Sequence, residues 1–198
     1  MKQKDRSTAE FILDTVAPLF NRKGYVGTSL SDITEATQLT KGAIYCNFKN
    51  KEDLALQAFY KNVDHVIAPM TEAIRAEKNA IDKLISITRF YRTYYRTAGE
   101  RGGCPVLNVG VDAKHVNPPL YQAAREIANN LMGNLERIIT KGIQYGQIHP
   151  ETDARKVAQS LYAFIEGGIY VAFLNDDEHH LLQVLDLADG MIRGLANN

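Results

Sequence analysis

The chain has 198 residues, 45% of them hydrophobic and 23% charged, with 23 Lys+Arg against 23 Asp+Glu. That composition excludes a disordered polyelectrolyte, and the zero formal charge excludes a protein that coats nucleic acid by bulk charge. Cys46 and Cys104 stand far apart in no C-x-x-C, H-x₃-H or H-E-x-x-H pattern, which predicts neither a disulfide framework nor a metal site and favours a reducing compartment.

Met1 to Arg6 is basic, but Glu10 and Asp14 break the segment that follows, so no secretory signal is expected. No continuous apolar run reaches the roughly 18 residues of a membrane span. A soluble, cytoplasmic protein with no membrane partner is the expectation.

Apolar residues recur at three- and four-residue spacings throughout, which predicts an all-α chain. Ser7-Thr8-Ala9-Glu10 is a capping box opening a helix over residues 8–23, with Phe11, Ile12, Val16, Leu19 and Phe20 on one side, Pro18 a possible kink and Gly24 the stop. Two very short helices follow. Ser29 and Asp32 cap the first, which carries Ile33 and Ala36; Thr40 caps the second, Lys41 to Asn47, which ends near Phe48. Asn50 then caps a long helix carrying Leu56, Phe59, Tyr60, Val63, Val66, Ile67 and Met70, with a bend or break expected at Pro69.

A helix through Ile81, Leu84, Ile85 and Thr88 leads into Phe90, Tyr91, Tyr94 and Tyr95, and a loop with Gly99, Gly102, Gly103 and Pro105 ends it. A short buried helix is expected over Val106 to Val111, and after Asn117-Pro118-Pro119 a long one from about Leu120 to Tyr145. The helix capped by Asp153 is apolar on two faces: Leu161, Tyr162, Ile165, Gly168, Ile169 and Ala172 on one, Val157, Phe164, Val171 and Leu174 on the other. The last helix repeats Leu181, Leu185, Ala188, Met191 or Ile192, and Leu195. A helix apolar on two faces needs two partners: the domain core and a second copy of the chain, or, alternatively, the core of a monomer on both sides.

Residues 1–51 hold 8 basic and 5 acidic side chains, whereas residues 52–198 hold 15 basic and 18 acidic. The neutral total thus hides a basic head and an acidic body, an asymmetry that suggests nucleic-acid contact at the head. The two short helices, joined through Thr37-Gln38-Leu39 and buttressed by the first helix, form a helix-turn-helix pattern, in which the second helix enters the major groove. Small Gly42 and Ala43 allow close approach, Lys41 supplies charge, Tyr45 and Asn47 supply polar groups, and Ile44 and Phe48 point into a small core with Ile33 and Phe20.

The run Gly24-Tyr25, Thr28-Ser29-Leu30-Ser31-Asp32-Ile33, Leu39-Thr40-Lys41-Gly42-Ala43-Ile44-Tyr45 and Phe48-Lys49-Asn50-Lys51-Glu52-Asp53-Leu54 resembles the DNA-binding domain of TetR-family transcriptional regulators. The resemblance covers about residues 8–58; beyond it, Gly103-Cys104-Pro105-Val106-Leu107-Asn108 is similar to a segment of some members. It implies a helix-turn-helix DNA-binding domain over 1–51 and an effector-binding and dimerisation domain over 52–198, connected by the helix from about residue 50. It further implies a homodimer on a palindromic double-stranded DNA operator, in most cases a repressor released by a small-molecule effector, with no catalytic role and no cofactor. Carried over by position, Thr40, Lys41, Gly42, Ala43, Tyr45 and Asn47 match operator contacts, Ser29 and Ser31 match contacts at the start of the preceding helix, and Lys49 and Lys51 match phosphate contacts. Gln38 departs from the glycine common at the turn, and Cys46 from a larger residue.

The larger domain offers Phe90, Tyr91, Tyr94, Tyr95, Tyr121 and Tyr162 with Asn108, Asp112 and His115 as an apolar effector pocket with polar anchors; plain core is the competing reading of each aromatic. Of these, Phe90, Tyr91, Tyr94, Asn108, Asp112, Tyr121 and Tyr162 are the candidate effector residues, and Val157, Phe164, Val171, Leu174, Leu181, Leu185, Met191 and Ile192 the candidate dimer interface. Arg89, Arg92 and Arg96 recur on one helix face, either to meet an anionic ligand or as a solvated surface. A helical small-molecule binding protein with little operator specificity is the alternative function.

Overall fold

The Ser7 hydroxyl accepts the Glu10 N–H at 3.2 Å while the Glu10 carboxylate accepts the Ser7 N–H at 3.0 Å, and this reciprocal cap opens α1 (Thr8–Gly27). The computed structural model describes residues 7–197, and the basic Met1–Arg6 segment lies outside them. Helix α1 continues through Pro18 and is interrupted at Gly24, whose φ of 72° lies in the left-handed region. The conformation favours glycine, and a side chain at Gly24 would also press, at 2.9 Å, on the Asp112 carboxylate that accepts the Tyr25 N–H.

The helices that follow are α2 (Leu30–Thr37), α3 (Lys41–Tyr45), α4 (Lys51–Ala76), α5 (Ala80–Gly99), α6 (Pro105–Asp112), α7 (Pro118–Gln144), α8 (Ala154–Leu174) and α9 (Glu178–Arg193). Among the described residues there is no strand beyond an isolated bridge between Ile148 and Ala196. The expected break at Pro69 is not present, for α4 runs on to Ala76.

The described residues form two compact units, one of those up to His65 with Arg101–Arg125 and one of Val66–Glu100 with those from Glu126 onward. Helices α4 and α7 each contribute residues to both. In the first unit, Ile12, Val16, Ala17 and Phe20 of α1 bury against Ile33, Ile44, Phe48, Leu54, Ala55 and Ala58. Each of the Ile, Val, Leu and Phe side chains among them contributes about 1.5–3 kcal/mol when fully buried, and together they fix α2 and α3 on α1. The Asn62 amide donates to the Ala17 carbonyl at 2.7 Å, beside Pro18.

In the second unit, Leu161, Ile165, Ile169 and Ala172 of α8 are buried, as are Leu181, Leu185, Ala188 and Ile192 of α9. Gly168 lets α9 approach, since a Cβ there would meet Val184 at 2.9 Å. By length and composition α8 is apolar enough to cross a membrane, contrary to the expectation that no segment is. Its buried stripe against α9 identifies it as a core helix of this unit, and its apolar excess comes from the second face. Three dimer-interface candidates are corrected here: Leu181, Leu185 and Ile192 fill the core of their own chain. Val157 and Phe164 are half-buried, whereas Val171, Leu174 and Met191 are exposed.

The arginine row of α5 is neither free to meet a ligand nor simply solvated. Arg92 pairs with Asp186 and Asp189, both at 2.8 Å, Arg96 with Glu178 at 3.0 Å, and Arg89 with Glu77 at 3.3 Å. Two of the three thereby fasten α5 to α9. Arg92 is the most enclosed of them, and Asp189 also accepts the Thr88 hydroxyl.

Candidate nucleic-acid interface and apolar cavity

The Ser29 hydroxyl accepts the Asp32 N–H at 3.1 Å and donates to the Asp32 carboxylate at 2.6 Å, and Lys23 closes the group with a 2.6 Å ion pair to Asp32. The Lys23 ammonium and the Ser29 donors hold the Asp32 carboxyl far below the usual carboxylate range. At the other end of α2, the Thr37 hydroxyl donates to the Ile33 carbonyl, and Gln38 turns the chain at φ 56° and ψ 26°. Thr40 then accepts the Ala43 N–H at 3.2 Å and starts α3.

This places Thr40, Lys41, Gly42 and Asn47 at or near the surface, with Ala43 and Tyr45 half-buried. The nearest atom to a Cβ built on Gly42 is the Thr40 hydroxyl at 3.9 Å, so the start of α3 is open to a close neighbour. The Lys41 ammonium lies 6.0 Å from the Tyr45 ring centroid. Tyr45 packs against the core cluster, and Asn47 donates to the Ala43 carbonyl at 2.9 Å. Ser31 and Lys49 are exposed.

Lys51 differs from the other candidates. Its ammonium donates to the Tyr25 carbonyl at 2.8 Å and lies 4.4 Å from the Tyr25 ring centroid, leaving its side chain committed to the fold. Tyr25 in turn donates its phenol to Glu52 at 3.0 Å and its N–H to Asp112 at 2.8 Å. Burial, with the Glu52 carboxylate adding to it, pushes the Tyr25 phenol above its ordinary value. One residue thus ties the end of α1 to α4 and α6, which nothing in the linear sequence announces.

The effector candidates divide between the two units. In the first unit Asn108 donates to the Gly102 carbonyl at 2.7 Å and the Asn21 carbonyl at 3.1 Å, and Asp112 accepts the Tyr25 N–H. These bonds commit both side chains to holding α6 to α1. Tyr121 is half-buried in the same unit. In the second unit Tyr91 packs edge-on against Phe90 at 5.4 Å and Tyr94 at 5.2 Å. Tyr91 and Tyr162 also line a narrow, mostly apolar cavity of about 60 Å³ with Ile67, Met70, Leu131 and Ile165, and among the described residues Glu166 is the one acidic residue in its wall. Cys46 is exposed and Cys104 buried, and no group of three or more His, Cys, Asp or Glu side chains suited to a metal occurs among the described residues.

The family model for bacterial regulatory proteins of the tetR family matches residues 12–58, and that for the tetracyclin repressor-like C-terminal domain matches residues 80–187. The crystal structure of a TetR-family transcriptional regulator from Cytophaga hutchinsonii is 35% identical, with a TM-score of 0.89 over 100% of both chains. The fatty acid metabolism regulator protein of Bacillus subtilis (strain 168) is 28% identical over 100% of each chain. The transcriptional regulator FadR from Bacillus subtilis, solved in complex with stearoyl-CoA, shares the fold at 24% identity and a TM-score of 0.75, with 92% of this chain and 96% of that one covered. With both halves matched, and with the start of α3 capped and open as a groove-reading helix requires, the chain belongs to the TetR family of transcriptional regulators.

Proposed function

We propose that two copies of the chain bind a palindromic operator as a cytoplasmic repressor and leave it when a small molecule enters the second unit. Residues 1–51 would serve as the DNA-reading part and residues 52–198 as the part that binds effector and partner. The observation that carries this reading is the start of α3, where exposed Lys41 and Gly42 follow the Thr40 cap. In the complex Thr40, Lys41, Gly42, Ala43, Tyr45 and Asn47 face the major groove, Ser29 and Ser31 flank it, and Lys49 meets phosphate. The role of Lys51 is to hold Tyr25 in place behind that surface.

An acyl-bearing effector is favoured by the tyrosine-lined apolar cavity and by the full-length relative that regulates fatty acid metabolism. A dimer engages both half-sites only when they lie about one helical turn, or a multiple, apart. An effector that binds better to the chain with a different half-site spacing therefore lowers operator affinity. Selection from random oligonucleotides should enrich a palindrome. Against that DNA, Lys41→Ala with Tyr45→Phe should weaken binding by about tenfold or more, since a well-formed pairing of a side chain with a base edge is worth about 1–3 kcal/mol. Replacing Lys49 with Ala should lower the salt slope by about 2, one phosphate contact being lost from each of the two heads, without changing sequence preference. Unchanged affinity in the first variant, or no enriched palindrome, would favour a small-molecule binding protein with little operator specificity.

A further inference from the structure

Ends of three helices in the second unit converge on a cleft of about 510 Å³. Arg75 and Lys78 reach it from the end of α4 and the loop beyond, Lys83 from the start of α5, and Arg137 and Lys141 from the last turns of α7; no Asp or Glu lines it. Of the acids adjacent to these cations in sequence, Glu77 pairs with Arg89 at 3.3 Å and Asp82 accepts the Asn79 amide, while Glu136, next to Arg137, lies outside the lining. Among the described residues none of the five cations makes an ion pair.

That clustering is not inherited from composition, because residues 52–198 carry more acidic than basic side chains, 18 against 15. It also carries an energetic cost, because Arg137 and Lys141, one turn apart on α7, repel each other. Five uncompensated cations around a concave wall raise the local concentration of anions.

The cleft adjoins the apolar cavity, with which it shares Thr71, Ile74, Asn134 and Ile138. Its volume of about 510 Å³ falls within the span of roughly 300–1,000 Å³ that small-molecule sites occupy. The apolar arm, at about 60 Å³, is far smaller. A free fatty acid would need the reverse, a long apolar arm and one cation.

We infer that this cleft binds the phosphate-bearing head of an amphipathic anion, such as an acyl thioester of a nucleotide carrier, whose apolar group enters the adjoining cavity. The inference rests on the effector reading above and assigns the head of that ligand to residues which that reading leaves unused. Phosphate oxygens accept charge-assisted hydrogen bonds from Arg and Lys, Arg with two parallel donors.

Calorimetric titration of the full chain with coenzyme A, butyryl-coenzyme A, pyrophosphate and stearate tests it. Butyryl-coenzyme A should bind more tightly than coenzyme A, pyrophosphate should compete with both, and added salt should weaken all three. The Arg137→Glu/Lys141→Glu variant, altered at two positions one turn apart on α7, should lose about tenfold or more in affinity for butyryl-coenzyme A, as expected when hydrogen bonds between charged groups are removed. Arg75→Glu with Lys83→Glu should do the same from the opposite wall, and cooperative unfolding of each variant verifies its fold. Equal butyryl-coenzyme A affinity in the wild type and both folded variants, or no binding of it at all, would overturn the inference. Equal affinity for coenzyme A and its butyryl ester would overturn the apolar arm, and stearate binding more tightly than either would overturn the phosphate head. Operator binding by the ligand-free chain is measured alongside. If it persists while coenzyme A fails to bind, the cleft assignment alone is wrong; if it is absent, the regulator reading is what fails.

Discussion

Gln38 holds φ 56° and ψ 26° between α2 and α3, a left-handed conformation without the freedom of glycine. Its amide donates to the Glu35 carbonyl at 2.6 Å and offsets part of the cost. Gln38→Gly should therefore raise stability by no more than about 1 kcal/mol, the steric relief being opposed by a looser unfolded chain, and a urea midpoint measures it. Asp32 behaves differently because its role depends on charge. Its folded-state carboxyl titrates far below the ordinary range, chiefly through Lys23 and Ser29, so its contribution is fully present above about pH 4, where the unfolded carboxyl ionises. The contribution is lost as the pH falls through the folded value. Asp32→Asn should accordingly destabilise the chain at neutral pH, and the gap between the two melting curves should close on strong acidification. A gap that stayed constant with pH would show that the cap acts by geometry alone. Both positions were readable in advance, Asp32 from its place three residues after Ser29 and Gln38 from its place in the turn. The Tyr25 clasp was not, because its partner Asp112 lies 87 residues away in the chain.

Helix ends were legible for the same local reason: Ser7, Ser29, Thr40 and Asp153 each accept a backbone N–H three residues on, and that bond requires no tertiary information. What periodicity could not decide is which apolar face meets which neighbour. Leu181, Leu185 and Ile192 share a helix with exposed Leu187 and Met191, and the approach of α8 and α5 is what separates the two groups. Asn108 and Asp112 read as pocket anchors because a polar side chain on a helix has the same spacing whether it faces a ligand or another backbone. The five cations of the cleft escaped notice because they come from the ends of three helices and form no linear motif. The close packing of α8 on α9 is itself set by Gly168, where a Cβ would lie 2.9 Å from Val184. Gly168→Val should cost about 1–3 kcal/mol by forcing the helices apart, against roughly 0.5–1 kcal/mol in its favour from replacing a mid-helix glycine. A net decrease in stability on thermal unfolding is expected, and recovery in a Gly168→Val/Val184→Ala double variant would assign that decrease to the Gly168–Val184 approach.

For the molecule as a whole, zero net charge combines a basic head with an acidic body, and the apolar surface is just as unevenly placed. Tyr170, Val171 and Leu174 on α8 and Leu187 and Met191 on α9 are exposed, Leu174 by 66% and Met191 by 46%. Exposed apolar side chains on two packed helices are the signature of an association surface, and under the proposed reading a second copy of the chain, which a two-fold symmetric operator would require, occupies it. Leu174→Glu with Met191→Glu should therefore yield a folded monomer, since neither side chain belongs to the core of its own chain. Sedimentation at micromolar concentration measures the mass, and the melting temperature, which depends on protein concentration for a dimer, should cease to do so. Operator affinity should fall by about 100-fold or more, because engagement of the second half-site is no longer intramolecular, while the salt slope should halve because a single head neutralises half as many phosphates. The two readouts separate the alternatives. A variant that remains dimeric places the interface elsewhere, whereas a monomer that keeps full operator affinity would mean that one head suffices and that the exposed faces of α8 and α9 serve another partner.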